Sequence, residues 1–168
     1  MAEAEKAREY LARGRYKEAG ELLDQMLMRS KDNDELWYLR GVVSLKLKSY
    51  DAANESFERA LSIRRKAEYL RTQGMAFLEM FEVEDAIPAF EAASKLEPKD
   101  AVSRFFLGIC FMMMDDPRSV DHLKEAIALD PKRTKGLLSN FYSVMFGKDK
   151  RISQAQKKKM MEKIGSIS

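Results

Sequence analysis

Residues 67–100 read AEYLRTQGMAFLEMFEVEDAIPAFEAASKLEPKD, and this stretch decides the fold. Its first half places Leu70, Gly74 and Phe77 at spacings of four and three, and its second half places Ala86, Phe90 and Ala93 at the same spacings. Apolar residues recurring at three and four share one face of a 3.6-residue helix, so each half predicts an amphipathic helix. The break between them falls at Phe81–Val83. The second half stops at Pro98–Asp100, where a proline ring cannot continue the hydrogen-bond ladder. Pro88 is expected near the start of its helix, where a missing N–H costs little.

The pattern recurs in both directions. Stepping back by 33 lays Leu70 on Trp37, Gly74 on Gly41, Ala86 on Ala53, Phe90 on Phe57 and Ala93 on Ala60. Stepping forward by 34 lays Gly74 on Gly108, and by 33 lays Ala93 on Ala126 and Pro98 on Pro131. A further step back of 34 lays Tyr50 on Tyr16, Ala53 on Ala19 and Phe57 on Leu23. Breakers recur at Lys48–Tyr50 and Asp115–Pro117, and second halves end at Lys31–Asn33 and Pro131–Arg133. Five such units nearly fill the 168 residues. The expectation is one domain over 1–168, with units at about 2–33, 34–66, 67–100 and 101–133 and capping helices over 134–168.

These residues resemble the tetratricopeptide repeat (TPR) family, whose signature is W-x2-L-G-x2-Y…A-x3-F…P over 34 residues. The matches are Trp37-x3-Gly41…Ala53-x3-Phe57-x2-Ala60, Leu70-x3-Gly74-x2-Phe77…Ala86-x3-Phe90-x2-Ala93…Pro98, and Leu107-Gly108-x2-Phe111…Ser119-x3-Leu123-x2-Ala126…Pro131. The resemblance implies an all-α, right-handed superhelical solenoid of antiparallel helix pairs, about ten helices in all. Small residues let paired helices approach, and large apolar ones fill the gaps. Arg40 and Gln73 stand where the family has Leu before the Gly, which predicts polar or snorkelling packing there. Glu3 and Arg104 occupy aromatic slots, and Phe141 stands where the last unit should have Gly.

Composition narrows the function classes. Gly 8 and Pro 4 are too few for the turns of an all-β fold. One Cys excludes an internal disulfide framework, and one His excludes a His-pair metal motif. The N-terminal MAEAEKAREYLARG has no apolar core of a secretory signal. The longest strongly apolar stretch, Phe105–Met114, is about half of the ~20 residues a membrane span needs. A cytoplasmic chain with Cys110 reduced is expected. No phosphate-binding loop, dinucleotide fingerprint or H-E-x-x-H motif is present. His122 reads as a half-exposed helix residue, Cys110 as a buried inert thiol, and Asp115–Asp116 as a turn without a third oxygen ligand. No enzyme, cofactor or metal is expected.

In the resembled family the first helices of successive repeats line a concave groove that holds ligands. Positions a quarter turn from the packed face are Tyr38, Leu39, Val42 and Leu45 in the second repeat, and Arg71, Thr72, Met75, Leu78 and Glu79 in the third. In the fourth they are Phe105, Phe106, Ile109, Met112 and Met113, and in the fifth Leu138, Tyr142, Met145 and Phe146. This lining is strongly apolar, and a helix that is hydrophobic all round should be covered all round. Methionine suits a surface that accepts varied apolar partners. The cover is the chain's own C-terminal segment, a second copy, or an apolar peptide or helix of another protein. The expected function is a protein-binding scaffold with an apolar groove, by fold analogy with holding-chaperone character. The alternative is a self-assembling subunit whose groove is self-filled.

Some family members clamp the acidic tails of heat-shock chaperones with Lys, Asn, Asn, Lys and Arg on three successive groove helices. The corresponding slots here hold Arg71 and Met75, then Phe106, then Lys135 and Ser139, and neither other register supplies the five groups. No such clamp is expected. The segment 148–163 carries seven cations against Asp149 and Glu162, a net of +5, which leaves −2 for the rest of a chain whose total is +3. It reads as the solvated face of a capping helix whose Ile152, Met160, Met161 and Ile164 pack inward; the alternative is a basic patch for an anionic surface, nucleic acid or an acidic partner, although no interleaved aromatics are present for base stacking.

Overall fold

The computed structural model describes residues 2–146 and positions 153, 155 and 158, and for residues 2, 3 and 144–146 it describes the main chain alone. Nine helices and no strand occur among the described residues: α1 (Ala2–Ala12), α2 (Tyr16–Arg29), α3 (Asp34–Lys46), α4 (Tyr50–Ile63), α5 (Ala67–Glu79), α6 (Val83–Leu96), α7 (Ala101–Met113), α8 (Arg118–Leu129) and α9 (Pro131–Phe146). The chain is a helical-repeat protein, and the second helix of the final pair would fall outside the described residues. Two compact units divide the chain, Met1–Leu96 and the part from Glu97 onward. The first holds three helix pairs, α1/α2, α3/α4 and α5/α6. The second holds the pair α7/α8 with α9 packed on both.

The paired helices cross at the expected glycines. A Cβ on Gly41 would lie 2.5 Å from a ring carbon of Phe57, and one on Gly74 would lie 2.8 Å from Phe90. One on Gly108 would lie 2.7 Å from Leu123 Cγ. No side chain fits at these contacts, so the signature Gly and the large residue sixteen or fifteen positions later are one packing device. At Gly74 the three nearest atoms all belong to the Phe90 ring, and Ala93 of the same helix sits fully buried with Ala67 and Leu70.

Each turn inside a pair is built alike. Gly14, Lys48, Phe81 and Asp115 all have left-handed backbone, with φ of 72, 61, 62 and 53°. Their N–H groups reach carbonyls three residues back, and the next N–H reaches five back, as in Ser49 to Ser44 and Glu82 to Phe77. This is the Schellman ending, which usually takes glycine. Only the first of the four turns has one.

Between pairs, Asn33 and Asp100 act as N-caps, each accepting from two backbone N–H groups of the following helix. Two expectations need correction. Residues 131–133 are the first turn of α9 rather than a terminator, because Pro131 has no N–H to orphan there and Asp130 Oδ1 accepts the Arg133 N–H at 2.9 Å. Pro88 lies inside α6, past its first turn, with its ring on the exposed side where the lost hydrogen bond faces water.

The polar substitutions are resolved as ion pairs and hydrogen bonds. Arg40 donates to Asp24 at 2.6 Å and to Ser44 Oγ at 2.8 Å. Buried Gln73 donates to Asn54 Oδ1 at 2.8 Å. Arg104 pairs with Glu125 at 3.2 Å.

Candidate functional site

In the first unit α1, α3 and α5 lie side by side, joined by polar contacts along their lengths. Arg8 pairs with Glu35. Asp34 accepts from Tyr69 Oη at 2.8 Å and from Lys66 Nζ at 2.7 Å, and Lys66 also donates to Tyr69 Oη at 2.7 Å. The Tyr38 and Tyr69 rings stack with centroids 4.4 Å apart, and Tyr38 Oη meets Glu68 and Thr72, each at 3.2 Å. Lys48 reaches Glu79 at 2.6 Å. Burial pushes the Asp34 carboxyl up, but the Lys66 ammonium and Tyr69 hydroxyl outweigh it and hold the group below its ordinary value. Burial raises both tyrosines, and the Asp34 hydrogen bond raises Lys66.

These contacts sort the anticipated groove residues. Tyr38, Leu39 and Leu45 are buried in the core of the first unit, whereas Val42, Arg71, Met75 and Leu78 are half-buried. Val42 and Met75 are repeat equivalents on adjacent helices. In the second unit Phe105 and Ile109 are 1% exposed, because α9 seats Leu138 on them. Phe106, Met112 and Tyr142 pack partly into the same cluster, and Met113 is exposed. Phe105 and Phe106 meet edge to face at 5.2 Å. The side chain of Met145 lies outside the described residues, as does the basic segment 148–163 apart from Ser153, Ala155 and Lys158.

Two features were not anticipated. A cleft of about 580 Å³ opens between α2, α3 and α4, lined by Leu27, Met28, Trp37 and the Asp24–Arg40 pair. The Trp37 indole N–H donates to the Lys31 carbonyl at 2.7 Å, so the residue assigned to the packed face is half-buried at this cleft. Phe81 projects from the α5–α6 turn with 71% of its surface exposed.

Among the described residues, no group of three or more His, Cys, Asp or Glu could hold a metal. Burial pushes the Cys110 thiol up to about 12, which leaves no thiolate for nucleophilic work. His122 stacks on Phe111 with centroids 5.2 Å apart, and its buried Nδ1 is 3.9 Å from Glu125 without a hydrogen bond.

Two family models, both described as tetratricopeptide repeat, match residues 10–75 and 71–133. The chain belongs to the tetratricopeptide repeat family. Among solved structures, MamA 41-end from Desulfovibrio magneticus RS-1 is 21% identical with a TM-score of 0.72, and the match covers 99% of this chain and 96% of that one. PilF of Pseudomonas aeruginosa is 19% identical with a TM-score of 0.75, covering 98% and 76%. YrrB, described as a TPR protein with an unusual peptide-binding site, is 18% identical with a TM-score of 0.69, covering 100% and 86%. At these identities the likeness is one of fold. A curated relative, the BBSome complex member BBS4 of Bos taurus, is 23% identical over 134 residues, and the match spans 26% of its length. Among the described residues, no helix is long and apolar enough to cross a membrane.

Proposed function

We propose that this TPR chain is a non-enzymatic protein-interaction scaffold that holds an apolar peptide or helix of a partner against its first helices. The carrying observation is in the first unit. Val42, Met75 and Leu78 form a half-buried apolar strip on α3 and α5, with Arg71 beside it, and the Tyr38–Tyr69 and Asp34–Lys66 contacts hold the two helices in place. A pre-organised apolar strip binds by burial while its ordering cost is already met by the fold. Holding-chaperone character is the same proposal applied to an unfolded client.

The test uses displayed peptides selected on the full chain. Selected apolar peptides should bind at least about tenfold more weakly to Met75→Ser with Leu78→Ser, while helix content is unchanged. Peptides indifferent to that double change would place the binding surface elsewhere. A second reading, a self-covered subunit, draws on α9, whose Leu138 seats on Phe105 and Ile109 in the second unit. It expects that no selected peptide contacts Phe106 or Met112.

A further inference from the structure

The turns α3–α4 and α5–α6 of the first unit lie next to each other, because Lys48 in one pairs with Glu79 at the start of the other at 2.6 Å. Both turns present apolar side chains to solvent. Leu47 is 43% exposed and Phe81 is 71% exposed, the more exposed of the two by a wide margin. Phe81 also holds the left-handed position that Gly14, Lys48 and Asp115 hold in the other turns, the one bulky apolar residue among the four. A phenyl ring there stays mostly in solvent and adds backbone strain, so folding alone does not account for it.

The ring stands in an acidic stretch, while Lys46 and Lys48 flank Leu47 in the neighbouring turn. Glu82, Glu84 and Asp85 are all exposed around Phe81, and residues 79–85 contain no Lys or Arg. Glu79 is already neutralised by Lys48. With Lys46 and Lys48 set against Glu79, Glu82, Glu84 and Asp85 the edge keeps a net charge of −2, so a ligand that joins apolar surface to positive charge complements it. The sequence itself contains such a segment: residues 148–163 carry a net of +5 with Ile152, Met160 and Met161 interspersed.

We propose that the Leu47/Phe81 edge is a self-association surface that receives the basic segment 148–163 of a second copy. Each copy carries both halves of the complementary pair, so two copies can exchange segments and close with two equivalent contacts. Apolar burial of Phe81 supplies the anchor, and the Glu82–Glu84–Asp85 rim sets orientation and salt sensitivity. This surface is separate from the Val42/Met75/Leu78 strip, so either can fail without the other.

The experiment is sedimentation equilibrium on the full chain at low and high salt. The wild type should associate at low salt and dissociate as salt screens the contact. Phe81→Gly should raise the dissociation constant by about tenfold or more, as loss of a central aromatic anchor does. Glycine suits the left-handed backbone, so this variant folds at least as well as the wild type, and circular dichroism checks that it does. Changing Lys157, Lys158 and Lys159 to Glu should weaken association similarly. Adding Glu82→Lys, Glu84→Lys and Asp85→Lys to that variant should restore it. A wild type that stays monomeric at low salt overturns the proposal, whether the edge is bare or covered by the same copy's segment. Association indifferent to Phe81→Gly, or charge reversals that do not rescue each other, overturns it as well.

Discussion

Gly41→Ala adds a single methyl group, and the structure sets the sign of its effect. The new carbon would sit 2.5 and 2.6 Å from two ring carbons of Phe57, where carbon atoms ordinarily keep about 3.5–4.0 Å. Phe57 is fully buried and cannot swing aside, so the ring or the helix axis must move by about 1 Å. Overpacking of this kind costs about 1–3 kcal/mol. Replacing a mid-helix Gly by Ala returns about 1 kcal/mol of helix propensity. Because the methyl meets a rigid ring rather than a flexible chain, the cost falls in the upper part of that range, about 2–3 kcal/mol, and the net expectation is a loss of about 1–2 kcal/mol. Gly136 in α9 provides the opposite case, since nothing lies within 4 Å of its Cβ position. Gly136→Ala should therefore gain up to about 1 kcal/mol. Urea unfolding read by Trp37, the sole tryptophan and one turn from Gly41 in α3, follows the first unit, and far-ultraviolet circular dichroism follows the whole chain. If Gly41→Ala raises the urea midpoint as Gly136→Ala does, with an unchanged slope, the crossing is not as close as described and the packing argument fails.

The repeat was legible because its register is written in residue sizes. Gly41, Gly74 and Gly108 recur with Phe57, Phe90 and Leu123 sixteen or fifteen positions later, and each pair is a contact in space. The polar readings of Arg40 and Gln73 were legible for the same reason, since a charged or amide residue in an apolar slot must find a partner. The turns were less so. Their left-handed position shows as Gly14 once and is then taken by Lys48, Phe81 and Asp115, because the flanking helices and the two Schellman hydrogen bonds impose the conformation on any residue there. The start of α9 was misplaced because Pro131 serves equally as a stop signal and as a first helical residue, and only the Asp130 contact distinguishes the two.

For the candidate site, the sequence marks which positions leave the helix pair but not which of them stay accessible. A quarter-turn offset from the packed face identifies positions that leave the helix pair, but such positions face either the neighbouring first helix or solvent. Leu39 and Leu45 went inward, and Tyr38 stacked on Tyr69, while Val42, Met75 and Leu78 kept accessible surface. Which outcome occurs depends on side chains about 33 residues away, and one helix's periodicity does not contain that information. The Asp34–Lys66–Tyr69 cluster is of this kind: Asp34 opens α3, Lys66 precedes α5 and Tyr69 lies within it, and no one of them signals the others in sequence.

Three further predictions follow from single groups. Asp100→Ala removes the acceptor for the Val102 and Ser103 N–H groups and should cost about 1 kcal/mol, read by urea unfolding followed by circular dichroism. Cys110, buried with its thiol pushed up to about 12, should resist a thiol reagent at pH 8 in the native protein and react at once in denaturant; rapid native labelling would contradict its burial. The Asp34 carboxylate should make stability depend on pH in a defined direction. Lys66 and Tyr69 outweigh its burial, so its folded-state value lies below the unfolded one of about 3.9. Between those two values the unfolded chain binds more protons than the folded one, so this contribution grows as pH rises. It is complete above about pH 4 and is lost as pH falls through the lower folded value. Asp34→Asn keeps the shape but removes the charge, and a hydrogen bond to a charged group is worth about 1.5–3 kcal/mol. Urea unfolding followed by Trp37 fluorescence should show the wild type ahead of Asp34→Asn by about that amount at pH 7. The gap should narrow steadily as the pH is lowered below about 4, because the protonated acid and the amide are then both neutral. A gap of constant size across that range would mean that the asparagine disrupts packing rather than charge, and that the carboxylate is not what ties α3 to α5.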